Sequence, residues 1–285
     1  MYEQEITGRH RTAFVIAVDR SLSMSEKMFT ECGRTVSKAE AVARAVNDLI
    51  AELENRAVRD GAVRNYYDIS VLGYQQSGVE WLLGGGRRLV PVSELRRYAP
   101  ERCRVLTERR THTGESVLRE VFADRWIEPF AGGCTPMYEA FWETGRLVGE
   151  WCSDPHNAGS FPPTVINITD GEASDCDPDQ LRAASREIRR HATSDGNALL
   201  LNVHITSGEE PRTLLFPTPD EVGDDRYASL LADCSSFMPS AFNDVVSTMR
   251  RDDVPPPYIA MGYNASPKEL FAMLNIGSRS VTGIR

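Results

Sequence analysis

The stretch "TAFVIAVDRSLSMS", residues 12–25, decides the fold. Its first seven residues form an apolar run, which predicts a strand buried on both faces. Asp19 ends the run, and serines follow on alternate positions at Ser21 and Ser23. Extended spacing would place these three side chains on one side of the chain. Because binding sites in open α/β sheets lie beyond the carboxyl ends of the strands, the stretch predicts both a central strand and a candidate site.

The rest of the chain alternates apolar runs with amphipathic segments. Further strands are predicted at 67–74, 164–169, 198–206, 213–216 and 257–265. Helices are predicted at 36–57, 135–152, 177–192, 226–234, 240–249 and 266–276. Such alternation is typical of parallel sheets built from βαβ units. The predicted fold class is therefore α/β, with a Rossmann-like, doubly wound, mainly parallel sheet that carries helices on both faces.

Local signals set several boundaries. Ser37 and Glu40 have the spacing of a capping box at the start of the first helix. Thr135 is predicted to cap the second helix, with Pro136 at its first position. Residues 79–90 are predicted to form a hairpin partner that turns at Gly84–Gly86.

The chain is predicted to be a single domain over residues 1–285 with two additions. Residues 91–129 are rich in arginine and show no clear periodicity, so an irregular insertion is predicted at about 87–129. A second elaboration is predicted at about 207–257. Both additions are expected to shape the choice of partner, because surface connections often carry binding residues.

Charge and composition narrow the function classes. The chain has 285 residues and a formal net charge of −9, which disfavours nucleic acid as a partner. Its N-terminus lacks the pattern of a signal peptide, and no apolar run is long enough to span a bilayer, so a cytoplasmic location without a membrane partner is expected. Six cysteines without a C-x-x-C pair predict free thiols.

One local exception to the acidic balance is the arginine cluster within residues 87–110. A solvated basic insertion explains it most simply. A docking face for an acidic partner is the alternative that the sequence leaves open.

Three predicted loops carry oxygen donors. Asp19, Ser21 and Ser23 follow the first strand, Thr135 ends "AGGCT" before a helix, and Asp170 follows the strand at 164–169. Two carboxylates and three hydroxyls suit a hard divalent cation such as Mg²⁺, and Mn²⁺ suits the same donors. Neutral hydroxyl ligands leave the charge of the ion poorly neutralised, so such an ion would accept a carboxylate from outside.

These motifs resemble the metal-ion-dependent adhesion site of the von Willebrand factor A domain family. The match consists of D-x-S-x-S at 19–23, "TPM" at 135–137 and "ITDGE" at 168–172, and the resemblance covers roughly residues 11–207. Within the family, "LGY" at 72–74, "FPPTVINITDGE" at 161–172 and "LNIGSR" at 274–279 look most similar to bacterial intracellular members. Members of that kind often accompany kinases, phosphatases or AAA ATPases in stress and defence systems.

The resemblance implies a role for each residue. Ser21, Ser23 and Thr135 would contact the ion, while Asp19 and Asp170 would hold its waters. The chain departs from the family pattern at Arg20 and Leu22. A bulky Leu22 would reshape the loop, and Arg20 would either favour an anionic partner or pair with Glu172.

Three functions follow as hypotheses. The first is a metal-dependent adaptor or scaffold that recruits an acidic residue of a partner protein. The second is a metal-dependent hydrolase acting on a phosphate or ester, although no serine of the site has a paired histidine in its sequence context. The third is a structural subunit with an idle metal site. The first is favoured, and an enzyme is not expected. A plain strand-end turn remains the alternative explanation for residues 19–23.

Overall fold

The computed structural model describes residues 2–29, 35–76, 78–98, 102–110, 116–206 and 213–276. Cys32 and the residues of "LNIGSR" after Ile276 lie outside these ranges. The main sheet has eight strands: β1 Thr12–Asp19, β2 Tyr67–Gln75, β3 Gly78–Trp81, β4 Val90–Pro91, β5 Thr164–Thr169, β6 Leu199–Ile205, β7 Leu214–Leu215 and β8 Met261–Ala265.

The strand order in this sheet is β7-β8-β6-β5-β1-β2-β3, and β4 also pairs with β2. The five central strands run parallel, and β3, β4 and β7 pair antiparallel at the edges. The predicted doubly wound, mainly parallel fold is therefore confirmed. β8 is shorter than the predicted strand at 257–265, which begins with a proline that has no N–H to donate.

Six α-helices within the described residues cover the sheet: α1 Lys38–Arg56, α2 Met137–Ser153, α3 Pro178–Arg190, α4 Arg226–Cys234, α5 Asn243–Arg250 and α6 Pro267–Ile276. Buried side chains of α1, α5 and α6 share one hydrophobic cluster with one face of the sheet. Buried side chains of α2, α3 and part of α4 share a second hydrophobic cluster with the other face of the sheet.

The alternation along β1 explains its place in the centre. Phe14, Ile16 and Val18 pack into the cluster beneath α1, while Val15 and Ala17 pack into the cluster beneath α2. Every residue of β1 is buried. A strand that is apolar on both faces is stable only between two helical layers, so the apolar run predicted the location of β1 correctly.

The glycines at 84–86 do not make the predicted hairpin turn. β3 and β4 both pair antiparallel with β2, at Leu72↔Trp81 and Ile69↔Val90. They therefore run in the same direction, and the glycines lie in a loop between them. All three have positive φ angles of 59°, 70° and 92°, which glycine adopts readily.

The Arg-rich segment is more regular than predicted. A short 3₁₀ helix at Val92–Arg97 precedes an antiparallel hairpin of Arg102–Arg110 and Ser116–Asp124, which forms a sheet of its own. Three further two-stranded pairs are short: Lys27–Phe29 with Thr35–Ser37, Val58–Arg59 with Ala62–Val63, and Ala192–Thr193 with Gly196–Asn197.

Several arginines of this segment have acidic partners. Arg88 pairs with Glu150 at 2.8 Å, Arg102 pairs with Asp124 at 3.4 Å, and Arg96 pairs with the buried Glu54 of α1. These contacts give part of the cluster a local structural role. They leave both explanations of its positive charge open.

Two other sequence predictions can be checked directly. The five cysteines within the described residues are free thiols, as predicted: Cys103, Cys134, Cys152, Cys176 and Cys234. Among the helices of the described ranges, none combines the length and the apolar character needed to cross a membrane.

Candidate metal-binding site

The candidate site lies where β1 and β5 end side by side. The parallel register pairs Val18 with Ile168, so the last residues of the two strands, Asp19 and Thr169, are neighbours. The Thr169 hydroxyl donates to Asp19 Oδ2 at 2.8 Å, and the Ser21 N–H donates to Asp19 Oδ1 at 2.8 Å. The Asp19 side chain is thus fixed from both sides at the floor of the site, where it is fully buried.

A chain of hydroxyls connects Asp19 with the next loop. Ser21 Oγ and Ser23 Oγ are 3.0 Å apart, and the Ser23 hydroxyl donates to Asp170 Oδ1 at 2.7 Å. Leu22–Ser25 forms a 3₁₀ turn, so the predicted extended spacing ends at Ser21. The turn, and not an extended chain, brings Ser23 to Asp170. Four of the five predicted site residues therefore lie within one hydrogen-bonded group.

Thr135 stands outside this hydrogen-bonded group and contacts the loop that follows Asp170. The Thr135 N–H donates to Ser174 Oγ at 3.0 Å, and the Ser174 N–H donates to the Thr135 carbonyl at 3.0 Å. Thr135 is buried. This reciprocal pair ties the third predicted loop to the second.

The prediction that Thr135 caps α2 is wrong. The helix begins at Met137, and the capping position, Pro136, offers no side-chain hydrogen bond. Asp175 supplies the cap instead, because its two carboxylate oxygens accept the N–H groups of Tyr138 and Glu139 at 3.1 and 3.0 Å. A negative charge is also favourable at a helix N-terminus. Asp175 therefore forms a second connection between the loop that contains Thr135 and the loop that follows Asp170.

Lys38 is the residue of the site that the sequence prediction missed. Its ammonium donates to Asp170 Oδ2 at 2.9 Å and to Glu26 Oε2 at 2.7 Å. The side chains of Lys38 and Asp170 are 5% and 0% exposed. Lys38 stands four residues before Val42, on the apolar stripe of α1. A lysine at such a position indicates a buried counter-charge, which is the signal that was available.

Burial and pairing act in opposite directions on Lys38. Desolvation by burial disfavours the charged form, but hydrogen bonds and charges from Glu26 and Asp170 outweigh it and raise the pKa of the Lys38 ammonium. Lys38 is therefore a charged group within the site. Both carboxylate oxygens of Asp170 have donors, namely Ser23 and Lys38.

An aromatic group supports the Asp170–Gly171 loop from below. The Tyr227 hydroxyl donates to the Gly171 carbonyl, and His204 stacks on Tyr263 with ring centroids 4.7 Å apart. His204 Nδ1 accepts the Asn264 N–H at 3.3 Å, and burial lowers its pKa. His204 is thus a buried, hydrogen-bonded side chain.

Asn167 lies in the interior of β5 beneath the same loop. Its Oδ1 accepts the Tyr74 hydroxyl at 2.9 Å, and its Nδ2 donates to Asn202 Oδ1 at 3.1 Å. Asn167 is thus a buried, hydrogen-bonded side chain as well.

Arg20 and Leu22 occupy opposite environments at the mouth of the site. Arg20 pairs with Glu80 at 2.9 Å, and its guanidinium lies 4.4 Å from the centroid of the Phe130 ring. The alternative that Arg20 pairs with Glu172 is therefore wrong, because the side chain is directed toward β3. Leu22 is 63% exposed beside the hydroxyl chain.

Because the Asp19 carboxylate is buried, the stability of the fold is expected to depend on pH. Desolvation raises its pKa from 3.8 to about 6, against the hydrogen bonds from Ser21 and Thr169 that lower it. A raised pKa means that the folded state binds the proton more tightly than the unfolded state. Stability therefore falls as the pH rises from about 4 to about 6, and above pH 6 the full cost of about 3 kcal/mol is present.

We expect Asp19→Asn to stabilise the metal-free protein at pH 7.5 by about 1 to 3 kcal/mol. The amide oxygen can accept the Ser21 N–H, and the amide N–H can donate to Thr169 Oγ, whose single hydroxyl hydrogen is then free to donate to the Gly171 carbonyl. Urea unfolding in EDTA measures the effect, which should vanish near pH 4. Glu172→Gln, at an exposed acid, is the control. A destabilised Asp19→Asn at pH 7.5 would contradict this account.

The donor chemistry of the site fits a hard cation. Asp19, Ser21, Ser23 and Asp170 offer oxygen atoms alone, and Mg²⁺ and Mn²⁺ prefer oxygen. Among the described ranges, no group of three or more His, Cys, Asp and Glu side chains could hold a metal. An ion at this site would therefore depend on hydroxyl donors.

Comparisons with known proteins add similarity of fold. No protein-family model matches the chain, and no curated protein matches it. Among solved structures, a von Willebrand factor type A protein from Catenulispora acidiphila has 16% identity and a TM-score of 0.40, and the match covers 69% of this chain and 34% of that one. The present chain thus spans about a third of that protein.

Two other solved structures are also similar to the chain. The VWA domain of SpRpn10 has 10% identity and a TM-score of 0.40, with 70% of this chain and 77% of that one covered. An uncharacterized membrane spanning protein from Vibrio fischeri has 16% identity and a TM-score of 0.28, with 72% and 74% covered. At such values the neighbours say nothing about ligands or partners, and the fold class follows from the strand order of the chain itself.

Proposed function

We propose that the chain is a metal-dependent protein-interaction module, an adaptor or scaffold that binds Mg²⁺ and recruits an acidic residue of a partner protein. One observation carries this proposal. Ser21, Ser23, Asp19 and Asp170 form one group of oxygen donors at the adjoining ends of β1 and β5. That is the edge at which ligands bind in open α/β sheets.

The residues divide into two kinds of donor. Ser21, Ser23 and Thr135 would contact the ion through neutral hydroxyls, while Asp19 and Asp170 would hold its waters. Mn²⁺ could replace Mg²⁺, because the donors suit both ions. A bound ion would supply a positively charged position open to an incoming carboxylate. The chain's own part is to hold the hydroxyls in position. The Ser21 N–H bonds to Asp19, the Ser21 and Ser23 hydroxyls bond to each other, and Ser23 bonds to Asp170.

The same contacts support binding over catalysis. A nucleophilic serine needs a base that takes its proton. The hydroxyl of Ser23 donates to Asp170, but the other oxygen of that carboxylate is held by the ammonium of Lys38. The serines are thus arranged as fixed oxygen donors, and we propose no enzymatic activity.

The partner is proposed from chemistry and resemblance. A carboxylate of Asp or Glu is the group that a poorly neutralised Mg²⁺ would accept, and the exposed Leu22 offers an apolar contact beside it. The resemblance to bacterial members of the von Willebrand factor A domain family suggests a kinase, a phosphatase or an AAA ATPase of a cytoplasmic stress or defence system as the source of that residue.

Removal of one hydroxyl tests the proposal. We expect Ser21→Ala to weaken Mg²⁺ binding, measured by calorimetry, by at least about tenfold, because it removes a direct oxygen donor. Ser25→Ala is the matched control, since Ser25 belongs to the same stretch and is exposed. A protein retained from host extract should be lost with EDTA and with Ser21→Ala, and kept with Ser25→Ala. Absence of Mg²⁺ binding by the wild type would refute the proposal.

A further inference from the structure

Lys38 places a fixed positive charge inside the candidate site. Its ammonium lies 2.9 Å from Asp170 Oδ2 and 2.7 Å from Glu26 Oε2. The Asp170 side chain is fully buried, whereas Glu26 is about half exposed. A buried charge is stable only when it is paired and hydrogen-bonded, so this ammonium is held in place by the site's own carboxylate.

We propose that Lys38 is an internal counter-cation that sets the charge of the site and competes with the metal ion. The inference rests on the proposed function. Without metal, Lys38 neutralises Asp170 and keeps its carboxylate aligned with Ser23. When Mg²⁺ binds, the ammonium repels it and thereby lowers the affinity.

The same charge favours an external carboxylate once the ion is present. Asp19 and Asp170 together carry two negative charges, which two positive charges of Mg²⁺ would balance. The ammonium of Lys38 adds a further positive charge, which Glu26 would balance in a bare count. Because Glu26 is about half exposed, water screens its charge, and the buried part of the site keeps an excess of positive charge. An incoming carboxylate relieves this excess, so the ion and the carboxylate strengthen each other's binding, and the coupling is reciprocal. Lys38 thus makes Mg²⁺ binding depend more strongly on the presence of an acidic partner.

Neutral substitutions at position 38 test this inference. The variants are Lys38→Met, which keeps the length of the side chain, and Lys38→Gln, which keeps a hydrogen-bond donor for Asp170 should the methionine variant fold poorly. Lys27→Met is the matched control, because the Lys27 side chain is 62% exposed and pairs with Glu40 at 3.8 Å. The probes are MgCl₂ alone and MgCl₂ with sodium acetate, followed by calorimetry of the full chain.

The expected result is at least tenfold tighter Mg²⁺ binding by both neutral variants, with Lys27→Met unchanged. Acetate should raise the Mg²⁺ affinity of the wild type more than that of the variants. If the wild type binds Mg²⁺ and the neutral variants bind it no more tightly, the role of Lys38 is overturned while the proposed function stands. If neither the wild type nor any variant binds Mg²⁺, the proposed function fails together with this inference.

Discussion

Replacing Asp170 with alanine is expected to lower the free energy of unfolding by about 3 kcal/mol and to abolish stabilisation by Mg²⁺. The Asp170 side chain is fully buried and is the buried partner of the Lys38 ammonium. Its removal leaves that ammonium with Glu26 alone, which is about half exposed. The estimate lies at the lower end of the cost of breaking a buried pair, because Glu26 still holds the charge.

A double-mutant cycle separates the two effects of this substitution. In the Asp170→Ala/Lys38→Met variant no buried charge is left without a partner, so the loss of stability should be smaller than the sum of the single losses by about 2 kcal/mol. Mg²⁺ should still fail to stabilise the double variant, since the carboxylate is absent.

Chemical unfolding with and without MgCl₂ measures both quantities. Glu172→Ala is the control, because Glu172 lies in the same loop and is exposed. Its unfolding and its response to Mg²⁺ should match those of the wild type. Additive losses in the double variant would show that Asp170 and Lys38 do not depend on each other.

Replacing Gly133 with alanine is expected to cost at least about 3 kcal/mol, the sum of a left-handed backbone and overpacking. Gly133 has a φ of +76°, and a Cβ there would stand 2.1 Å from Gln76 Cβ and 2.9 Å from Gln76 N. Backbone atoms cannot move aside as a flexible side chain can. The Gly133 carbonyl also accepts the Leu22 N–H at 3.0 Å, so a shift here should weaken Mg²⁺ binding as well.

A second glycine of the site serves as the comparison. Gly171 has no atom within 4 Å of an added Cβ and no left-handed φ. Gly171→Ala should therefore change the free energy of unfolding by less than about 0.5 kcal/mol. Thermal unfolding of the two variants in parallel measures the contrast. Equal stabilities would mean that the close approach of Gly133 to Gln76 is not required by the fold.

The centre of the fold was predictable because its signals are local. The apolar run of β1 has no polar face, which fixes it between two helical layers. Asp19, Ser21, Ser23 and Asp170 follow the ends of such strands directly. The carboxyl ends of parallel strands lie at the same edge of the sheet, whatever the path of the chain between them. The grouping of these residues could therefore be expected without knowing the connections.

Features that depend on distant partners were missed. Asp175 caps α2 from another loop, and no sequence pattern near Thr135 indicates that cap. Residues 102–124 show no regular alternation of charged and apolar residues, so the sequence did not indicate the hairpin of Arg102–Arg110 and Ser116–Asp124. Lys38 gave only an indirect signal as a lysine on an apolar stripe. For Asp175 and Lys38 the decisive contact is between residues far apart in the sequence.

The position of β1 between β2 and β5 has a consequence for synthesis of the chain. Asp19 and Thr169, which meet across the end of the sheet, are 150 residues apart. At about 5 to 20 residues per second, a ribosome needs about 8 to 30 s to make the intervening chain. During that time β1 can pair with β2, but its other edge stays open. The nascent protein therefore exposes an unpaired apolar strand until β5 emerges, and that edge is where a chaperone would protect it.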